Sequence, residues 1–398
     1  MNVLFVTPCY EGAWAYGGIA RVTGLLARGL VDRGHSVTVC TTDAGTEGAR
    51  LGAPGDTGGV DLRVFANVSN TAAYHLQAYT PVGLGRFLRR VTRGFDIAHL
   101  HGCRHWPGVV AAQVLSRAGV RYVIEPHGTA PRIERRRAQK WLFDRTLGRG
   151  VMTHASRLIA VTEAEQRALG GQGLPVTIVP NPVELPPAAL RRGAFRARWG
   201  VPSGELVVYL GKLTPRKRVE LLVRAFAMLA RPGARLVIAG NDMGSGAAVA
   251  QLVAALGIGD RVHRVGLLQG EERFQALVDA DLVVYPGEHE VFGLVAVEAI
   301  LCGAPVVVAG DSGCGETVRE LGGGLVVEGG DPASYARAMA SVLDSPVTMH
   351  DQVASAAALA RARYAPGVAA ARLEAVYREV LGATAPKGGF GCSLSTPV

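Results

Sequence analysis

The chain holds 398 residues, 48% of them hydrophobic and 19% charged, a balance that gives a folded protein of two or three domains and excludes extended disorder away from the ends. Its net charge of +9 suits an anionic partner such as a nucleotide diphosphate or an acidic lipid surface; no nucleic-acid module is recognisable, so a nucleic-acid partner is not expected. Six cysteines (Cys9, Cys40, Cys103, Cys302, Cys314, Cys392) lie without CxxC spacing, which excludes a disulfide framework and a zinc site and leaves reduced thiols as the expectation.

In chain order, the first segment "NVLFVT" reads as a strand entered without a basic leader, and no later apolar run reaches bilayer-spanning length, so a cytoplasmic location is expected. The connection that follows, "AYGGIARV", carries Gly17 and Gly18, whose missing side chains let the backbone approach a ligand closely. By itself such a pair decides little. Neither GxGxxG nor a later ribose-binding acid appears at this turn, which argues against a dinucleotide dehydrogenase.

Strand-like runs "SVTVCT", "DLRVFA", "DIAHLH", "RYVIEP", "RLIAVT" and "VTIVP" then alternate with helical stretches such as "ARVTGLLARGLVDRG". This alternation predicts a parallel sheet covered by helices on both faces. His99 and His101 share one face of their strand, and with His105 they suggest either a metal cluster or packing; no acid is evident beside them. His127, in "IEPHGTAP", stands just past a strand end. The stretch 131–150 mixes seven basic residues with Trp141, Leu142, Phe143 and Leu147, which suits either a solvated helix face or a basic amphipathic helix lying on a membrane.

The proline-rich run "PNPVELPPAAL" (180–190) reads as a linker. A second alternating series follows: "LVVYLG", "RLVIAG", "VHRVG", "DLVVYP", "PVVVAG" and "GLVVEG". After its first strand, "GKLTPRKR" presents Lys212 and Lys217 with Arg216 and Arg218 beside them, a basic loop able to neutralise a diphosphate or simply to meet solvent. "DAD" (279–281) mimics a metal-binding DxD but reads as a polar helix end. Next, "PGEHEVFGLVAVEAILCGAPVVV" places Glu290 and Glu298 around a predicted helix start near Gly293, which offers free N–H groups and a positive dipole end to an anion. Glu298 falls about 6 to 8 Å farther along the axis, the separation of a ribose from its diphosphate. "DSGCGETV" adds Glu316, read as a cap on the cleft wall. The helix "PASYARAMASVL" and a longer helical stretch from about 349 to 382 precede a tail rich in small residues.

The segment 286–308 resembles the carboxylate signature of retaining glycosyltransferases of family 4, two Glu with seven residues between them together with "FGL" and "EA...CG.PVV". "GKLTPRKR" is similar to that family's "GRL...KG" motif, departing from it at Lys212, where Arg is usual and bidentate phosphate geometry is given up, and at Arg218, where Gly is usual. "AYGGIARV" resembles its glycine loop and "PHG" its sugar-facing histidine. The resemblance implies an α/β fold of two Rossmann-like doubly wound domains facing across a cleft, the GT-B arrangement. Expected divisions are an acceptor domain at 1–185, a nucleotide-sugar domain at 186–365, a helix crossing back at 366–383 and a flexible tail at 384–398.

It further implies retaining transfer of a hexose-type sugar from a nucleoside diphosphate, with uridine as the expected base, to an acceptor hydroxyl. The acceptor expected first is a lipid-linked or polysaccharide precursor, and second a small metabolite. No metal and no cofactor are implied; the nucleotide sugar is a co-substrate. Glu290, His127, Lys217 and Lys212 are expected at the reacting centre. Donor binding is expected from Glu298, Phe292, Gly293, Leu294, Val295, Gly17 and Gly18, with base recognition by backbone from Gly266 to Leu268. His101 is expected on the acceptor side. Rival readings are a nucleotide-sugar epimerase of the same fold and a non-catalytic sugar-nucleotide binder.

Overall fold

The computed structural model describes residues 1–45, 49–52, 55–130, 137–171 and 173–382. All thirteen expected strand runs form strands: β1 Asn2–Val6, β2 Ser36–Thr42, β3 Asp61–Phe65, β4 Ile97–His101, β5 Tyr122–Glu125, β6 Arg157–Ala160, β7 Val176–Ile178, β8 Leu206–Leu210, β9 Arg235–Ala239, β10 Val262–Gly266, β11 Leu282–Tyr285, β12 Val306–Ala309 and β13 Gly324–Val327. They build two all-parallel sheets, ordered β3-β2-β1-β4-β5-β6-β7 and β10-β9-β8-β11-β12-β13. The chain therefore folds as two Rossmann-like doubly wound units. Strand order reverses between β1 and β4 in one and between β8 and β11 in the other, and such reversals open a ligand crevice at strand C-termini.

The strands read as continuous apolar runs because helices cover both faces. Val3, Phe5, Val37, Val39 and Ile97 are buried on one face of the first sheet, and Leu4, Val6, Leu100, Ile124 and Leu158 on the other. The second sheet centres on Val207, Val208, Val237, Val283, Val284 and Val307. The run 180–190 contains no helix or strand.

The final helical stretch differs from its expected form in one respect. It is two helices, Pro346–Tyr364 and Pro366–Gly382, broken at Ala365 with ψ of 141° because a residue before proline is pushed out of the helical region. The last helix joins the core of the first sheet through Ala370, Leu373, Val376 and Tyr377, packed against the helix Gly18–Val31. Gly29 permits the close approach, since a Cβ there would stand 2.8 Å from that of Ala370. Arg33 Nε also donates to Glu374 at 2.6 Å. The tail 384–398 and Cys392 lie outside the described residues.

Candidate active site

A cavity of about 730 Å³ lies between the C-terminal ends of the two sheets. On the second sheet's side, the turn after β8 supplies Lys212, Arg216 and Lys217, the end of β11 supplies Tyr285, and the loop into the helix Leu294–Leu301 supplies Glu290, Val291, Phe292 and Gly293. That helix begins where expected. Gly293 caps it with a φ of 79°, and no side chain caps the first turn, so its leading N–H groups are left for a ligand. A side chain at Gly293 is doubly excluded, by the positive φ and because a Cβ would fall 2.2 Å from Cys314 Sγ.

Glu290 is the hub of this wall. Lys217 Nζ lies 2.8 Å and Arg216 3.2 Å from its Oε1, while the Tyr285 hydroxyl donates to its Oε2 at 3.1 Å. Lys217 also bonds the Tyr285 hydroxyl and lies over that ring at 4.6 Å. Burial alone would raise the Glu290 carboxyl, but the adjacent Lys217 and Arg216 charges hold it below the usual range. Burial pulls Lys217 below the ordinary lysine value, opposed by Glu290. It pulls Lys212 down to about 8. Arg218, which stands where the resembling family has Gly, adopts a φ of 53°, and is held there by Glu288 at 2.9 Å and the Gly330 carbonyl.

The first sheet's side is different in kind. Trp14, Tyr16, Tyr74, Tyr79, Gly17, Gly18 and His127 line it together with Arg21, Arg104 and Lys140, so it mixes aromatic and small residues with separate cations, Arg104 being paired with Asp144 and Arg21 with Glu298. Gly17 and Gly18 sit against the opposite half: a Cβ at Gly17 would lie 3.3 Å from the Lys212 chain and one at Gly18 2.6 Å from Leu294. Further contacts tie the halves together. Thr162 Oγ1 donates to the Val291 carbonyl at 3.0 Å, and the Glu316 carboxylate accepts the Glu163 and Ala164 N–H groups at 2.7 and 2.9 Å. Glu316 thus caps a helix of the other sheet.

Comparison with known proteins agrees with this geometry. Residues 192–359 match the family model "Glycosyl transferases group 1", and residues 17–182 match "Glycosyl transferase 4-like domain". D-inositol 3-phosphate glycosyltransferase of Kineococcus radiotolerans is 33% identical over 345 residues, covering 79% of this chain and 78% of that protein. The chain belongs to glycosyltransferase family 4. Among solved structures, sucrose-phosphate synthase from Thermosynechococcus elongatus aligns with a TM-score of 0.74 at 20% identity over 96% of this chain and all of that one. HepE of Anabaena, solved in complex with UDP-glucose, aligns with a TM-score of 0.76 at 20% identity over 95% of this chain and all of that one. Both show the GT-B fold.

Within this glycosyltransferase, Lys212, Lys217, Glu290, Phe292, Gly293, Leu294, Val295, Gly17, Gly18, His127 and Leu268 meet at one cavity, as expected from the sequence. Three expected residues stand elsewhere. Glu298 is buried behind the wall, where it pairs with Arg21 of the opposite half and lies 3.3 Å from Arg273, because its helix turns that position toward the helix Gly18–Val31. Gly266 does not line the cavity, and its carbonyl is taken by the Gly240 N–H at 2.7 Å. His101 is fully buried and backs His127, its Nδ1 3.0 Å from His127 Nε2, rather than facing the acceptor side.

Two sequence arguments are settled by contacts. The "DAD" acids are structural: Asp279 accepts the Gly193 and Arg196 N–H groups at 2.6 and 2.9 Å, and Asp281 accepts that of Leu206 at 2.8 Å. The absence of an acid beside His99 and His101 does not hold, because Glu125 brings its carboxylate within 3.3 Å of His99. Glu125 was within reach of a sequence argument: it ends the strand whose following turn carries His127, two positions on. Arg21, Tyr285 and Arg273 carried no comparable local signal. Of the basic stretch 131–150, residues 131–136 lie outside the described residues; the helix Arg137–Arg145 presents Trp141 and Leu142 to solvent. No helix among the described residues is long and apolar enough to cross a membrane.

Proposed function

We propose that this glycosyltransferase moves a hexose-type sugar, with retention, from a uridine diphosphate donor to an acceptor hydroxyl. The observation that carries the reading is the cationic cluster Lys212, Arg216 and Lys217 set beside an uncapped helix start, across the cavity from His127. A diphosphate placed at Gly293 and Leu294 would meet N–H donors, a helix dipole and the lysines at once. Glu290, kept ionised by Lys217, faces the sugar with His127. Both Glu290 oxygens are taken up by Lys217, Arg216 and Tyr285, so in this reading the carboxylate orients and balances charge and does not attack the sugar. Charge stabilisation of the departing diphosphate and alignment of the acceptor therefore supply the catalysis, the leaving phosphate taking the acceptor's proton on the same face.

The donor ribose would reach Glu298 by replacing Arg21. Glu298 Oε2 is buried without a hydrogen-bond partner, which favours an incoming hydroxyl. The uridine base follows the UDP-glucose bound by HepE. On the acceptor side, the relative named for D-inositol 3-phosphate points to a polyhydroxylated acceptor, and aromatic faces such as Trp14 and Tyr16 suit a sugar-like ring. Exposed Trp106, Trp141, Leu142 and Leu147 favour an acceptor presented at a membrane surface.

The test is a panel of UDP-sugars with glycan, inositol phosphate and lipid-linked acceptors, products being read by NMR for anomeric configuration. Transfer with the donor's configuration kept is expected. Inversion would remove the retaining assignment, and donor conversion that ignores acceptor would favour the epimerase.

A further inference from the structure

Behind His127 the first sheet buries a set of titratable groups that the transfer reaction, as drawn, leaves unused. His99 and His101 end β4, Glu125 ends β5, and Tyr377 arrives from the last helix; none is more than 1% exposed. Glu125 Oε2 lies 3.3 Å from His99 Nε2 and 3.7 Å from His101 Nδ1, and Glu125 Oε1 lies 3.5 Å from His127 Nδ1. His127 Nε2 is 3.0 Å from His101 Nδ1, and His99 Nδ1 is 2.7 Å from the Tyr377 hydroxyl. Imidazoles 99 and 101 stack at 4.1 Å. His127 itself is held at a φ of 51°.

We propose that Glu125 is a positioning residue, whose carboxylate selects the tautomer of His127 carrying its proton on Nδ1 and so fixes the orientation in which the ring edge faces the donor sugar. This rests on the reading of His127 as the residue facing the donor sugar.

The argument is one of proton bookkeeping. A negative charge in a low-dielectric interior favours a proton on each nitrogen nearest to it, here His99 Nε2, His101 Nδ1 and His127 Nδ1. Those three choices fit together. His101 donates from Nδ1 to the lone pair on His127 Nε2, which leaves the single proton of His127 on Nδ1, while His99 accepts the Tyr377 hydroxyl at Nδ1. Reversing the His101–His127 pair sets the lone pairs of His101 Nδ1 and His127 Nδ1 against the carboxylate. Burial keeps the imidazoles neutral, pulling His99 down to about 3 and lowering His101 and His127. It also raises the Glu125 carboxyl, opposed by His127. The groups facing Glu125 are thus His99, His101, His127 and Tyr377. Glu165, pushed up to about 7 by burial, accepts the Gly128 N–H at 2.6 Å and supports the same loop.

The test uses full-length enzyme with nitrogen-15 histidine, comparing wild type with Glu125→Gln. Expected are a switch of His127 away from the Nδ1–H tautomer in long-range NMR spectra and a kcat lower by about 10²-fold, the scale on which a misaligned contact costs rate. UDP affinity should be unchanged. Should Glu125→Gln fold poorly, Tyr377→Phe, which removes the bond to His99, is expected to perturb the same histidine signals with a fall of about threefold. An unchanged His127 tautomer overturns the positioning role. A switched tautomer with wild-type turnover instead overturns the part given to His127 in transfer. One equivalent of tightly held metal, whose removal shifts these histidines, overturns the carboxylate–imidazole assignment.

Discussion

The two walls of the cavity solve opposite electrostatic problems. The second sheet's wall gathers like charges, Lys212, Arg216 and Lys217, around one acid, Glu290, in a setting that strips them of water. The first sheet's wall sets its cations apart, Arg21 against Glu298 and Arg104 against Asp144, and keeps its buried histidines neutral behind an aromatic lining: Tyr16 meets Tyr74 edge-on at 6.0 Å, and the histidines stack. A wall of crowded like charges is offset by a ligand that brings the opposite charge, whereas a wall with its arginines already paired to acids selects more by shape and hydrogen-bond direction. The contrast separates the halves by task, donor charge on one side and acceptor fit on the other.

The sharpest way to break the contrast is to remove the charge hub. Glu290→Gln or Lys217→Ala should lower kcat by about 10² to 10³-fold, the range seen when a donor to developing transition-state charge is lost. The fold should survive, because neither side chain belongs to the apolar core. Initial rates and thermal midpoints check this, and near-wild-type turnover in both variants would end the assignment of this wall to the reacting centre.

A smaller effect sharpens the same point through pH. Lys212 titrates near 8 in the free protein, lowered by burial. Diphosphate binding favours its charged form and so raises that value. Affinity owed to the lysine is then fully present below pH 8 and declines as pH rises from 8 toward the bound-state value, by at most about tenfold per unit. Calorimetric titration of UDP at pH 7, 8 and 9 should show the weakening, and Lys212→Arg should flatten it because guanidinium stays charged. Cys9, pushed up to about 12 by burial, remains a thiol across this range.

The charged wall was also the more legible from sequence, for a physical reason. Lys212 and Lys217 lie in one loop, and Glu290, Phe292 and Gly293 in another, each just past a strand whose β-branched run identifies it, so local spacing already places them at a strand end. The fold was legible on the same ground: the inner strands are short, largely apolar runs bounded by turns, and the more polar β3 and β10 lie at the sheet edges. Strand alternation gives a side chain's face but not its depth, which is why His101 was expected at the cavity and is found behind it. Axial rise and the family resemblance put Glu298 at the ribose without fixing which way its side chain turns. Its partner Arg21 lies 277 positions away, and only the packing of the helix Gly18–Val31 against the helix Leu294–Leu301 brings the two together.

That pair supplies the mildest test, because it joins the two walls. Arg21 and Arg273 both hold Glu298, and Arg273 is itself tied to Glu184 at 2.6 Å. If Arg21 stands where ribose hydroxyls go, every donor molecule must displace it, and apparent affinity is reduced by the fraction of protein in which the pair is closed. Arg21→Met keeps the apolar stem and removes the competitor, while Arg273 still neutralises Glu298. UDP should then bind about threefold more tightly, with the thermal midpoint lowered as the halves lose one link. Weaker binding in Arg21→Met would mean that the arginine helps to hold the nucleotide, and the first sheet's wall would then take part in donor binding.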